Sequence, residues 1–340
     1  MGGMAAEPEP VRPGGPAAEG AFPSGPGPGP ARGPEVPAPG GTPEGVELIV
    51  VGGGPAGCAA ALMAASVGLR SVVVEEAGRL CGKLRGIPAV DNVAGGHRGG
   101  PELADAIAAD LARTPLCRVE LGVRAVRVRA HGDRASVTLD DGRRLHAPYA
   151  VVATGTGPLG PRVAGWLTVR PGARTAGLWG AEPPPRARTL LVLGADRPLG
   201  TFLRAHPGLD ARVLVAHPPE DDYKADEVRD DPRVELLPVA GLTLLPPGSG
   251  PVARWTARDG RSGASEADAV LLNLGSAPAP PPGDLVRDSA GYCPPRSQPP
   301  RLFTAGDLRS ARFQRIMAAT GSGGEAALRA YYELSGVPTG

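Results

Sequence analysis

The chain has little cysteine, little lysine, almost no net charge and no long apolar run. Its four cysteines, Cys58, Cys81, Cys117 and Cys293, form no C-x-x-C, and their spacing matches no zinc site. Their scarcity fits a reducing compartment, so a cytoplasmic location is expected. Lys83 and Lys224 are the only lysines among 36 basic residues, and the arginine excess reads as genome base composition rather than a phosphate-binding surface. A formal net charge of +1 gives no reason to expect a nucleic-acid or anionic-membrane partner. No run of roughly 18 apolar residues occurs, so no transmembrane helix is expected. The histidines, His97, His131, His146, His206 and His217, show neither metal-ligand spacing nor a serine or cysteine partner pattern. Neither a metal site nor an acyl-transfer triad is expected.

Residues 1–45 are a different material, rich in Pro, Gly, Ala and Glu and nearly devoid of large apolar side chains. Such a segment cannot bury enough surface to offset its ordering entropy, so a disordered tail is expected. It lacks the basic start and apolar core of a signal peptide. A proline-rich docking segment is the other reading.

The strongest positive signal begins at Val46. Apolar residues lead into Gly52-Gly-Gly54-Pro-Ala-Gly57, an alanine-rich run follows from Ala56, and Ser71-Val-Val-Val-Glu75 comes next. This reads as strand, glycine-rich loop, helix and second strand ending in an acid, the pattern of a dinucleotide site. Gly52 serves the tight turn, Gly54 lets the backbone approach a pyrophosphate, and Gly57 permits close helix–strand packing. Pro55 suits the first helical turn, which needs no N–H. The helix N-terminus would face the phosphates, and Glu75 would accept bonds from ribose hydroxyls.

At 340 residues the chain can hold two domains with real cores. Loop-like stretches follow Glu75. Pro101 to Ala112 predicts a helix with Leu103, Ile107 and Leu111 on one face. Val119 to Leu145 alternates apolar and charged residues about a hairpin turn at Asp140-Asp-Gly142. Tyr149 to Gly155 predicts a short buried strand, and Gly157 to Arg188 an irregular connector. A second strand–loop–helix unit starts at Thr189 and runs through Gly194-Ala-Asp-Arg-Pro-Leu-Gly200. Strands are expected at 211–216, 234–238, 252–256, 267–275 and 300–307, and a final helix from Phe313 to Leu334. Alternating strands and helices imply an α/β class with parallel sheets, built from duplicated Rossmann-like dinucleotide-binding folds.

From Val46 to Leu334 the order of motifs resembles the thioredoxin reductase-like flavoproteins among the pyridine nucleotide–disulfide oxidoreductases. The carriers are V-V-G-G-G-P-A-G at 50–57, Glu75, G-K-L at 82–84, V-D-N-V-A-G at 90–95, A-T-G at 153–155, T-A-G-D at 304–307 and A-A-T-G-S-G-G-E-A-A at 318–327. The resemblance implies an FAD domain (46–158 and 295–336) interrupted by an inserted NAD(P)-like domain (159–294), in a homodimer. It implies that FAD lies against Gly52, Gly54, Pro55, Ala56 and Gly57, with Glu75 on the adenosine ribose. Gly82, Lys83 and Leu84 match a segment running beside the cofactor, with Lys83 in place of glutamine. Asn92 matches an asparagine near the flavin ring. Thr154, Gly155 and Gly306 fall in matching motifs, and Asp307 matches the aspartate that bonds the ribityl chain. Gln314-Arg315 stand in reversed order to the family's Arg-Gln, and Ile316 follows at the start of the flavin-facing helix.

Three departures matter. The family's redox C-x-x-C is missing, and disulfide reduction through such a centre needs two thiols that exchange through a mixed disulfide. Asp196 stands where the second loop should have glycine, adding charge and bulk beside a pyrophosphate. The arginines that would clamp a 2′-phosphate are replaced in His217-Pro-Pro-Glu-Asp-Asp222, and only Lys224 brings a positive charge nearby. NAD(P)H binding is therefore the weak part of the resemblance. No catalytic residue is identified except Cys81, whose loop the resemblance puts near the flavin. A packing role is the alternative for it, as it is for Cys58. The expected function is an FAD-dependent oxidoreductase with an unidentified electron donor and redox partner. A non-catalytic flavin sensor or scaffold and an NADH-dependent flavin reductase stand as alternatives.

Overall fold

The computed structural model describes residues 45–90, 92–248 and 250–337. The expectation of a disordered tail falls outside these residues but for Gly45. In chain order the elements are β1 (Leu48–Val51), α1 (Pro55–Ser66), β2 (Ser71–Glu75), α2 (Gly100–Ala112), β3 (Cys117–Leu121), β4 (Ala125–Ala130), β5 (Ala135–Leu139), β6 (Arg144–Ala147), β7 (Tyr149–Val152), β8 (Thr156–Pro158), β9 (Leu167–Val169) and β10 (Ala176–Gly177). They continue with β11 (Thr189–Leu193), α3 (Pro198–Ala205), β12 (Arg212–His217), β13 (Val234–Pro238), β14 (Gly241–Leu244), β15 (Ala253–Thr256), β16 (Ser262–Ser265), β17 (Ala269–Leu272), β18 (Ser276–Pro278), β19 (Leu302–Thr304) and α4 (Ile316–Leu334).

Two five-stranded parallel sheets organise the chain. The first runs β19-β7-β1-β2-β3 and the second β10-β17-β11-β12-β13. Every residue of β1 and β7 is buried, the continuous apolar run expected of a strand covered on both faces. One face of the first sheet packs on α1, α2 and α4 through Val50, Val73, Leu103, Val151 and Phe303. Its other face packs Ile49, Val72 and Val152 on the antiparallel sheet β4-β5-β6 through Val128, Val137 and Leu145. The second sheet repeats the plan, with α3 on one face and the four-stranded sheet β16-β15-β14-β9 on the other.

Small residues set the spacing of the first layer. A Cβ on Gly323 of α4 would lie 2.0 Å from the Ala56 carbonyl oxygen, so α4 crosses α1 backbone against backbone. The alanine-rich sequence of α1 permits that approach, which keeps α4 beside α1 on the same face of the first sheet.

The structure corrects three sequence expectations. The stretch 157–188 is not irregular, since it contributes β8, β9 and β10, each too short to show periodicity. β8 pairs antiparallel with β18, and β9 pairs parallel with β14. β3 does not belong to the hairpin run that follows it, since it pairs parallel with β2 at the edge of the first sheet. The last helix starts at Ile316, because Phe313 has φ +63° and Arg315 is extended.

Candidate functional site

In the first parallel sheet the chain begins at the central strand β1, and in the second it reaches the central strand β11 after the two-residue edge strand β10. From each central strand it builds one side and later crosses to the other. The resulting switch points lie between β1 and β7 and between β11 and β17. Ligands of open parallel sheets bind beyond the strand ends at such points.

The loop after β1 occupies the first switch point. Gly52 has φ +103°, and a Cβ there would sit 2.6 Å from the Ala153 carbonyl oxygen. A Cβ on Gly57 would sit 1.8 Å from the Gly52 carbonyl oxygen. The fold itself therefore requires both glycines. Gly54 differs, because a Cβ there would meet nothing within 4 Å. The open space before Gly54 and the first turn of α1, with Pro55 and Ala56, is where a phosphate can approach backbone N–H groups. Glu75 braces this loop from the end of β2. Its Oε2 accepts from the Gly53 N–H at 2.6 Å and its Oε1 from the Ala77 N–H at 2.9 Å. A carboxylate offers about four lone-pair positions, so two remain for ribose hydroxyls.

Across the switch point, Thr154 follows β7. Its Oγ1 is buried without a hydrogen-bond partner, a cost that a ligand acceptor or donor removes. Gly155 beside it has φ +64°. Lys83 donates from Nζ to the Thr156 Oγ1 at 2.8 Å. Asp307 is half-buried after β19. Burial pushes its carboxyl above the ordinary range, and the positive charges of Lys83 and Arg315 pull it part of the way back. The turn carrying Asp307 is fixed by Gly306, which has φ +69° and whose N–H donates to the Ser322 Oγ of α4 at 2.8 Å. Thr154, Thr156, Lys83, Asp307 and Arg315 thus extend the site that Gly52, Gly54, Gly57 and Glu75 begin.

The remaining expected residues are placed less directly. Gly82 is exposed and Leu84 buried in the first core cluster. Ile316 packs against that cluster at the start of α4. Asn92 is exposed. Gln314 turns back on its own loop, donating from Nε2 to the Ser310 carbonyl at 3.0 Å.

The second loop has the same foundation and a different surface. Gly194 has φ +99°, and a Cβ there would lie 2.3 Å from the Asn273 carbonyl oxygen, as Gly52 lies against Ala153. The Gly52 N–H donates to the Val74 carbonyl, and the Gly194 N–H to the Ala216 carbonyl. Asp196 then stands where Gly54 stands. Its Oδ2 lies 3.7 Å from the Cβ position of Gly275, so the carboxylate points into the switch-point crevice. Asn273 fixes the loop there by donating to the Asp196 carbonyl at 2.7 Å. Leu199, buried, takes the position of Gly57, and α3 begins one residue later in the loop than α1 does.

More acid surrounds this crevice. Lys224 is paired with Asp221 at 2.8 Å. Burial pushes its ammonium down, but Asp221 and, more weakly, Asp196 hold it above the ordinary value. His217 ends β12 fully buried, with Nε2 unbonded and the Asp222 Oδ1 3.7 Å away.

Two relationships were not readable in the sequence. The Trp179 indole N–H donates to the Lys83 carbonyl at 3.2 Å, and its ring packs on Gly86. The segment after β10 is thereby anchored to the loop that carries Lys83. Cys58 and Cys81, far apart in the chain, lie with their sulfurs 4.0 Å apart. Neither pairing has a local motif to announce it.

Residues 46–175 match the family described as pyridine nucleotide-disulphide oxidoreductase. A Pseudomonas aeruginosa protein named as a subunit of alkyl hydroperoxide reductase is 25% identical over 324 residues, covering 85% of this chain and 58% of that protein. A protein named NADH dehydrogenase from Ferdinandcohnia aciditolerans is 26% identical over 317 residues, covering 84% of this chain and 57% of that one. The chain thus spans less than two thirds of the length of these curated relatives. Among solved structures, the thioredoxin reductase of T. acidophilum superposes with a TM-score of 0.68 at 19% identity, over 85% of this chain and 98% of that one. The thioredoxin reductase of Lactococcus lactis gives 0.66 at 17% identity, over 86% and 100%. These structural likenesses concern the fold.

Proposed function

We propose that this chain, a member of the pyridine nucleotide–disulphide oxidoreductase family of the thioredoxin reductase type, is an FAD-dependent oxidoreductase whose electrons come from a redox protein rather than from a nicotinamide nucleotide in its second loop. The carrying observation is the contrast at one loop position. Gly54 faces open space, whereas Asp196 sends a carboxylate into the equivalent crevice.

FAD, when bound, supplies two-electron redox chemistry at its ring system. The residues described above bind and orient it. The 52–57 loop and the first turn of α1 receive the pyrophosphate, and Glu75 receives the ribose. The Thr154 hydroxyl gains the partner it lacks. Asp307 accepts from ligand hydroxyls, and the charges of Lys83 and Arg315 nearby make it more readily ionised than its burial alone would allow. No thiol pair stands in the second domain to pass electrons onward. The acceptor is therefore a small molecule, oxygen or a disulfide on another protein.

Among the described residues no helix is long and apolar enough to cross a membrane. We infer a cytoplasmic protein, in keeping with its free thiols, and a homodimer, which follows from the family resemblance alone. A flavoprotein that senses rather than turns over is the second reading. It rests on the Trp179 anchor, which ties the second sheet to the Lys83 loop. Mixing the purified flavoprotein with a reduced iron–sulfur protein in a stopped-flow spectrometer tests the proposal. Rapid bleaching of the flavin is expected, and a flavin that stays oxidised contradicts a protein donor of that class.

A further inference from the structure

Cys58 lies in the first turn of α1, directly after Gly57, and Cys81 lies in the loop after β2. They are 23 positions apart in sequence and 4.0 Å apart at sulfur, and both are buried. Both also engage the middle of the phosphate loop. The Cys58 S–H donates to the Gly53 carbonyl at 3.3 Å, and the Cys81 N–H donates to the same oxygen at 2.8 Å. Cys81 sits at φ +57°, a left-handed conformation uncommon for a residue with a side chain. From that conformation its sulfur faces the Cys58 sulfur.

We propose that Cys58 and Cys81 are a redox-modification site, at which a hydroperoxide converts the two thiols into a disulfide that ties the first turn of α1 to the loop after β2. The sulfurs need to approach by about 2 Å to reach bonding distance. Hydrogen peroxide is the smallest such oxidant and suits a buried pair. The Cys81 thiolate attacks one peroxide oxygen, the O–O bond breaks, and hydroxide leaves to give a sulfenic acid at Cys81. The Cys58 sulfur then attacks the Cys81 sulfur, the S–O bond breaks, and water leaves with the Cys58 proton. Two thiols are oxidised by two electrons, and one peroxide is reduced to two waters. Cys81 is the first nucleophile. When Cys81 ionises, the Cys58 S–H turns from the Gly53 carbonyl to the Cys81 sulfur. That bond, with help from the nearby Arg85 charge, brings the Cys81 thiol below the ordinary value, whereas Cys58 is raised by the same pairing and by burial. Once the disulfide forms, the Cys58 S–H bond to Gly53 is gone, so thiol state and phosphate-loop geometry are coupled.

The test uses the full chain, reduced and then freed of reductant. Protein is exposed to hydrogen peroxide, quenched in acid, alkylated and digested without reductant for peptide mapping. The expected product is one cross-linked peptide pair joining Cys58 to Cys81, with two thiols lost per chain and both recovered on adding dithiothreitol. Cys58→Ser and Cys81→Ser each remove that cross-link. If a serine variant does not fold, the wild-type peptide map decides alone. Thiols that both remain alkylatable, single oxidation to a sulfinic acid, or cross-links to Cys117 or Cys293 instead overturn the proposal. The readout is the covalent state of the thiols, so it stands or falls separately from the assignment of FAD.

Discussion

The Asp196 carboxylate lies against Gly275, its Oδ2 3.7 Å from where a Cβ on that glycine would be, at the crevice between β11 and β17. A pyrophosphate entering there meets a like charge that Gly54 does not present in the first loop. Two like charges about 4 Å apart cost roughly 1–4 kcal/mol near a protein surface. Asp196→Gly should therefore strengthen NADH binding by roughly ten- to a thousandfold, read by isothermal titration calorimetry. Unchanged affinity would move the cause to Leu199 and the later start of α3.

The glycines of the first loop should separate fold from ligand. Gly54 has φ −74°, which alanine adopts freely, and open space before it. Gly54→Ala should leave stability within about 0.5 kcal/mol of the parent and abolish FAD retention. Gly57→Ala drives a methyl into the Gly52 carbonyl at 1.8 Å. It should lower stability by about 1–3 kcal/mol or prevent folding. Thermal melts and flavin absorbance of the two variants provide the comparison. A Gly54→Ala protein that keeps its flavin would reject the proposed pyrophosphate position.

Asp307 gives a pH dependence of defined sign. Its folded pKa is raised above the ordinary 3.8 by burial. A raised acid costs the fold nothing while protonated in both states, and destabilises it as pH rises through the folded pKa. Asp307→Asn should therefore stabilise the flavin-free protein at pH 7, with the gain vanishing below about pH 3.8. The same change should weaken FAD retention. Denaturant unfolding of both proteins across this range is the measurement, and a stability gain that grows toward low pH would contradict the assignment.

The thiol pair predicts a second pH effect. Cys81 is lowered from the ordinary 9.0, chiefly by the hydrogen bond from Cys58, so its thiolate is populated earlier than a free thiol's. The rate of peroxide-driven thiol loss should rise with pH and reach half its plateau below pH 9.0. A half-rise at or above that value would show that the pairing does not activate Cys81.

Much of the first site is legible in sequence because it is local. The strand, the glycines and Pro55 fall within one short run, and each residue type follows from a steric or hydrogen-bonding need that the structure displays at Gly52 and Gly57. Glu75 is legible for the same reason, as the end of the next strand. Asp196 could be read as a fault in a known pattern, but not the direction of its carboxylate. What sequence could not supply is distant in the chain. Lys83 meets Thr156 across 73 positions and Trp179 across 96, and Cys58 meets Cys81 through a loop with no motif of its own. The strands β8, β9 and β10 were hidden because two or three residues cannot show a period of two.

The most direct measurement is a visible spectrum of the purified protein, followed by anaerobic addition of NADH and then NADPH. The account predicts oxidised flavin bands that neither nucleotide bleaches within seconds, while dithionite bleaches them at once. A colourless protein would contradict the intact first loop as an FAD site, and rapid bleaching by NADH would contradict the blocked second loop.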